Sequence, residues 1–178
     1  VTNRFKTYFK IDPTLKNSIT FKNDTSQISF YSPVKQVFGD LQNTTPYVKN
    51  NTITFPNLFP SLNLRYTISP SRLLEEFIVN DKATAKKVLL ITQQAIFSNI
   101  DKYTEDNGAI NFYHDDKLTF VLPKPILYEL GKPTNSSHGI EYQLRALDTK
   151  SLQITKRITP EGETWLNDPQ RKYPIVID

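Results

Sequence analysis

The sequence predicts an all-β fold, two packed antiparallel sheets in a sandwich with at most one short helix. Three observations lead there. Many short runs alternate apolar and polar residues, which sends successive side chains to opposite faces of a strand. Twelve prolines and five glycines cut the chain into short pieces, and only residues 71–122 form a long stretch free of proline. Aromatic residues, which favour pleated half-buried surfaces, are plentiful, with 11 Phe, 9 Tyr and one Trp.

The elements follow in chain order. Ile19–Lys22, Ile28–Phe30 and Thr52–Phe55 each alternate. Leu62–Ile68 does so over a longer run, with Leu62, Leu64, Tyr66 and Ile68 on one face. Ala109–Tyr113 and Leu118–Leu122 flank a polar loop at His114–Lys117, which predicts a hairpin, and Asn107-Gly108 predicts a turn just before it. Ile140–Leu147 is answered by Ser151–Thr155 across Asp148-Thr149-Lys150. Tyr173–Asp178 reads as a final strand, at an edge or starting at Pro174, because that proline has no N–H to donate. Ala83–Tyr103 has two readings. It lacks Pro and Gly, partly fits a 3.6-residue period and has Asp81 placed as an N-cap, yet Val88–Thr92 is a continuous β-friendly run.

With 178 residues the chain suits one domain, residues 1–178, with a minor joint near 43–46. It has no cysteine, which excludes disulfides, thiolate metal sites and a cysteine nucleophile. The net charge of +4 comes from scattered basic residues, so the expectation is no nucleic-acid partner. No apolar run of membrane-spanning length is present, so no membrane insertion is expected, and Val1–Phe5 shows no leader pattern.

Candidate chemistry is sparse. His114 and His138 lie far apart, without a strained Ser turn or a phosphate loop. Glu75-Glu76 and Asp115-Asp116 pair carboxylates, but strand neighbours face opposite ways, so Glu75 and Glu76 cannot share one pocket. A calcium role for Asp115-Asp116 would need several more oxygen ligands at close spacing, for which Asp101, Glu105 and Asp106 nearby are suggestive only. The expectation is therefore no catalytic residue, no metal and no cofactor. Tyr47, Tyr113, Tyr142 and Trp165 are the candidates for exposed ligand contacts, since a sugar ring stacks on an aromatic platform. Sequons at Asn23, Asn43, Asn50 and Asn135 mark polar loops.

Several segments together resemble a module of large secreted bacterial surface proteins, the wall-associated, Rhs/YD-repeat and DNRLRE-domain type. They are Asn3–Phe9, Thr54–Tyr66, Leu73–Val79, Asp106–Ile110, Val121–Pro125 and a closing motif. That motif, W-L-x-D-P-x-R-x-Y-P-V-x-I-D, is matched by Trp165, Asp168, Pro169, Arg171, Tyr173, Pro174 and Asp178. Asn63 and Glu75 depart from the family's usual Asp and Lys. The resemblance implies an extracellular, β-rich, non-enzymatic module of the cell surface. Its partners would be flanking domains of the same polypeptide, with surface glycans or neighbouring surface proteins as further candidates. It also implies strands at Val88–Thr92 and Ala95–Ile100. The expected role is a spacer or stalk. The alternatives are a glycan- or wall-polymer-binding module and, more distantly, a carboxylate hydrolase.

In the closing motif, Trp165 is expected to begin a turn at Asn167-Asp168-Pro169 and to plug the end of the sandwich. Arg171 is expected to cap that turn or stack on an aromatic face.

Overall fold

The structure, a computed structural model, describes residues 5–10, 18–31, 35–36, 39–69 and 72–178. The lead-in residues Asn3 and Arg4 lie outside the described residues. The first strands are β1 (Phe5–Lys10), β2 (Ser18–Asn23), β3 (Ser26–Tyr31), β4 (Lys35–Gln36), β5 (Gly39–Asp40) and β6 (Tyr47–Lys49). Then come β7 (Thr52–Phe59), β8 (Leu62–Ile68), β9 (Leu73–Val79), helix α1 (Lys82–Ala85) and β10 (Leu90–Ser98). A second series holds β11 (Lys102–Asp106), β12 (Ala109–His114), β13 (Lys117–Leu122), β14 (Leu127–Glu129) and β15 (Lys132–Ser137). The chain closes with β16 (Ile140–Asp148), β17 (Ser151–Ile158), helix α2 (Pro160–Asn167) and β18 (Ile175–Ile177).

Two large antiparallel sheets form the sandwich. One has the order β1-β2-β3-β10-β17-β16, the other β15-β14-β18-β9-β8-β7-β6. A three-stranded sheet, β11-β12-β13, and the two-stranded pair β4-β5 complete the described part. The core lies between the large sheets. Ile28, Ile91, Ala95 and Leu152 come from the first, and Leu64, Phe77, Val79 and Ile177 from the second. The three-stranded sheet sends in Ile110 and Phe112, both fully buried, and Phe112 packs against Phe97 at 6.0 Å.

Two hairpins use the backbone their turns demand. Asn107 and Gly108 both have positive φ, and so do Asp115 and Asp116. Two consecutive left-handed residues make the turn whose twist matches paired strands, and Asn, Asp and Gly tolerate it best. Prolines inside strands sit where a missing N–H costs least. Pro56 falls at the irregularity in β7–β8 pairing between Phe55 and Phe59, and Pro133 lies on the edge strand β15.

The ambiguous stretch resolves into both readings at different places. Asp81 does cap a helix, its carboxylate accepting from Thr84 N at 2.8 Å, but α1 lasts a single turn. The strand that follows is continuous from Leu90 to Ser98, with Ile91, Gln93, Ala95 and Phe97 turned inward. The expected strands at 88–92 and 95–100 are thus one strand, with Val88 and Leu89 still in the connection. Among the described residues two short helices stand where at most one is expected. The polar stretch at 43–46 is tied to β7, since Thr44 Oγ1 donates to Pro56 O at 2.6 Å.

Helix α2 docks on the loop between β15 and β16 through two glycines. Thr159 N donates to Gly139 O at 3.0 Å, and a Cβ on Gly162 would overlap that same carbonyl oxygen. Alanine is normally favoured over glycine in a helix by about 1 kcal/mol. Here Gly162→Ala is expected to lower the urea midpoint of unfolding, because the added methyl must push the helix off its dock. Glu161→Ala, at an exposed neighbouring position, is expected to leave the midpoint near the wild type.

Candidate functional site

Two polar clusters hold the sheets in place. The first bridges the two large sheets. Glu75 on β9 points inward and accepts three bonds: from Tyr66 OH at 2.8 Å, from Gln93 Nε2 at 2.9 Å and from Lys156 Nζ at 3.3 Å. Tyr66 belongs to the same sheet; Gln93 and Lys156 reach across from the other. Lys156 is only 6% exposed and also lies over the Phe77 ring at 5.2 Å. The neighbouring Glu76 faces the opposite side of the sheet, as strand geometry requires. There Arg65 holds it in a two-pronged pair at 2.7 and 2.8 Å, and Tyr128 OH donates to it at 2.7 Å.

Burial and these carboxylates perturb the neighbours. Burial pushes the Tyr66 hydroxyl well up, and Glu75 adds to that. Desolvation by itself lowers the Lys156 ammonium, but Glu75 and the surrounding acidic groups reverse the sign and raise it. Arg65 is raised by its bond to Glu76. Such a matched set is cheap to keep and costly to break, because removing one partner leaves a buried charge without compensation.

The second cluster is the closing motif. Arg171 has a side chain 7% exposed. Its guanidinium stacks on the Trp165 ring at 3.6 Å and donates to Trp165 O at 3.0 Å, Asn135 Oδ1 at 2.8 Å and Glu129 Oε1 at 3.2 Å. Lys172 N also donates to Glu129 Oε1, at 3.0 Å. Asp168 ends α2 and accepts from Gln170 N at 2.8 Å and Arg171 Nη2 at 3.4 Å, and exposed Pro169 lies in the turn between. Tyr173 OH donates to Leu166 O at 3.3 Å. Pro174 follows a cis peptide bond and its carbonyl accepts from Leu130 N at 3.0 Å.

Arg171 thus stacks on an aromatic face, as expected. Trp165 does not begin a turn: it sits within α2, half-buried, because Thr159 and Pro160 start a helix that runs to Asn167. The last strand does start after Pro174, but it is central, between β14 and β9. Asp178 extends that strand, its N donating to Ile126 O at 3.0 Å, and burial raises its carboxyl above the usual range.

The three candidate tyrosines stand on three different sheets. Tyr47 is exposed on the edge strand β6, Tyr113 on β12 lies under Lys102 at 5.3 Å, and Tyr142 on β16 lines the space between the large sheets. Asp101 Oδ2 accepts from His114 Nδ1 at 3.1 Å and from Asp115 N at 2.7 Å, and the backbone bond holds its carboxyl below the ordinary value. Asp101, His114 and Asp115 could present three ligand atoms to a cation, but all three already serve the β12–β13 turn. Sequence reasoning does not single out Arg65, Gln93, Lys156 or Glu129. The one signal for them is a Glu-Glu pair set inside the apolar run LLEEFIV.

No family model and no solved structure matches the chain. Three curated proteins do. The chain is similar to a segment of WapA nucleases. It is 24% identical over 179 residues to the tRNA3(Ser)-specific nuclease WapA of Bacillus spizizenii, and equally to the tRNA(Glu)-specific nuclease WapA of Bacillus subtilis subsp. natto. Each match covers 92% of this chain and 7% of the relative. The tRNA nuclease WapA of Bacillus subtilis strain 168 is 26% identical over 135 residues, 72% of this chain and 5% of that protein. The chain therefore spans a small part of the length of these relatives.

Their names overturn two expectations drawn from the sequence, that the protein is no enzyme and that it has no nucleic-acid partner.

The clamp at Arg171 makes two predictions. Arg171→Ala is expected to lower the melting temperature by several degrees, and Arg171→Lys to recover little of it, since an ammonium cannot stack flat and donate in three directions. The second concerns pH. The bonds from Lys172 N and Arg171 hold the Glu129 carboxyl below its ordinary value. Stability from this group is therefore complete above the unfolded carboxylate pKa and is lost as pH falls through the lower folded value. Acid melts of the wild type and Glu129→Gln should show the variant losing less stability over that window.

Proposed function

We propose that this chain is a framework unit of a large extracellular polypeptide of the tRNA-nuclease type, a stiff sandwich that spaces and carries the segments on either side. One observation supports this most directly. The match takes in 92% of this chain and 7% of the relatives, which supports reading the chain as one unit among many in a much longer polypeptide. The resemblance of the closing motif to modules of large bacterial surface proteins supports placement at the cell surface. The side chains also fit the role. The strongest polar groups are spent on each other, Glu75 on Lys156, Glu76 on Arg65 and Glu129 on Arg171, which locks sheet to sheet and helix to sheet. Tyrosines spread over three sheets make no common platform for a glycan.

The test uses the parent polypeptide. Residues 1–178 are deleted or replaced by an unrelated β-sandwich of similar size. Deletion is expected to reduce the amount of intact protein at the surface and its resistance to protease, and the replacement to restore both, with tRNA cleavage per purified molecule held throughout. Loss of cleavage that the replacement cannot restore would overturn the framework reading.

A further inference from the structure

A cavity of about 500 Å³ lies where the two large sheets meet the three-stranded sheet. Ligand pockets commonly enclose about 300–1,000 Å³, lined by apolar and aromatic side chains around a few polar groups. This cavity has that make-up. Phe21, Phe30, Phe112, Phe120, Tyr142 and Ile154 form much of its wall, and the Glu75–Gln93–Lys156 cluster faces it. Phe112 and Ile154 are buried while Val121, Arg72 and Lys124 are exposed, so the cavity runs from the folded core to the surface.

The charges around it are unequal. Lys156, Arg72 and Lys124 line the cavity, against the carboxylates Glu75 and Asp178. Glu75 is already engaged by Tyr66, Gln93 and Lys156. An ammonium has three hydrogens to give, and Glu75 takes one from Lys156. A buried cation with donor capacity to spare, at the wall of an aromatic cavity, suits an acceptor with a negative charge.

We infer that the intersheet cavity is a binding site for an amphiphilic carboxylate, a molecule with an apolar body and one anionic head. The body lies among Phe21, Phe30, Phe112 and Phe120, and the head takes hydrogen bonds from Lys156. Exposed Arg72 and Lys124 draw the anion to the cavity. Asp178 stands at the same wall, with its carboxyl raised above the ordinary range by burial. This inference stands apart from the framework reading, since a spacer needs no ligand.

The probe is dodecanoate, titrated into the 178-residue chain by calorimetry, with dodecylammonium and dodecanol as comparison. Saturable binding of one dodecanoate per chain is expected, weaker for dodecanol and weakest for dodecylammonium. The paired variant Lys156→Met/Glu75→Gln removes both charges together and is expected to weaken dodecanoate by at least about tenfold, the worth of a hydrogen bond to a charged group. If that variant fails to fold, Arg72→Ala/Lys124→Ala, which changes only exposed side chains, decides. It should weaken dodecanoate and leave dodecanol unchanged. Absence of saturable binding, equal binding of dodecylammonium, or variants that bind dodecanoate as the wild type does would each overturn the site.

Discussion

The seven-stranded sheet is complete only when the last strand is in it. Ile175–Ile177 lies between β14 and β9 and pairs with both, Ile177 opposite Leu127 on one side and Phe77 on the other. All three of its residues are buried. Without it, β9 and β14 would each expose a row of unpaired N–H and C=O groups in the middle of the sandwich, where water cannot reach them. The partners are nearly a hundred residues apart along the chain for β9, so the core closes through a long-range contact. This explains why so many specific interactions are concentrated just upstream. Arg171 fixes α2, the β14–β15 hairpin and the approach to β18 in one place through Trp165, Asn135 and Glu129.

Charge inside the sandwich follows from the same geometry. A strand in a two-layer fold has one face on the core, and a charged residue there must find a partner in the opposite layer. Glu75 finds Lys156 and Gln93; Glu76, one residue on and facing away, finds Arg65 and Tyr128 within its own sheet. Two adjacent acids thus serve two different joints, one between layers and one across strands. The inner joint borders the cavity of about 500 Å³ described above.

Similarity to WapA nucleases places this fold within a setting that its own residues do not announce. The matched region makes up only 7% of the length of two relatives whose names are those of tRNA-specific nucleases. Composition reports on the segment, so the scattered basic residues spoke for this sandwich alone.

The alternation of apolar residues by itself determined the class of fold, the hairpins at Asn107-Gly108 and Asp115-Asp116, and the inward faces of strands such as Leu62–Ile68, because a side-chain period of two is a local property of the chain. It also determined that Glu75 and Glu76 point apart. Only the tertiary structure decided that Trp165 lies in a helix under Arg171, that the strand after Pro174 is central, and that Lys156 meets Glu75 across the layers. Those outcomes depend on which strands become neighbours, and pairing between residues 81 positions apart leaves no periodic trace in either segment.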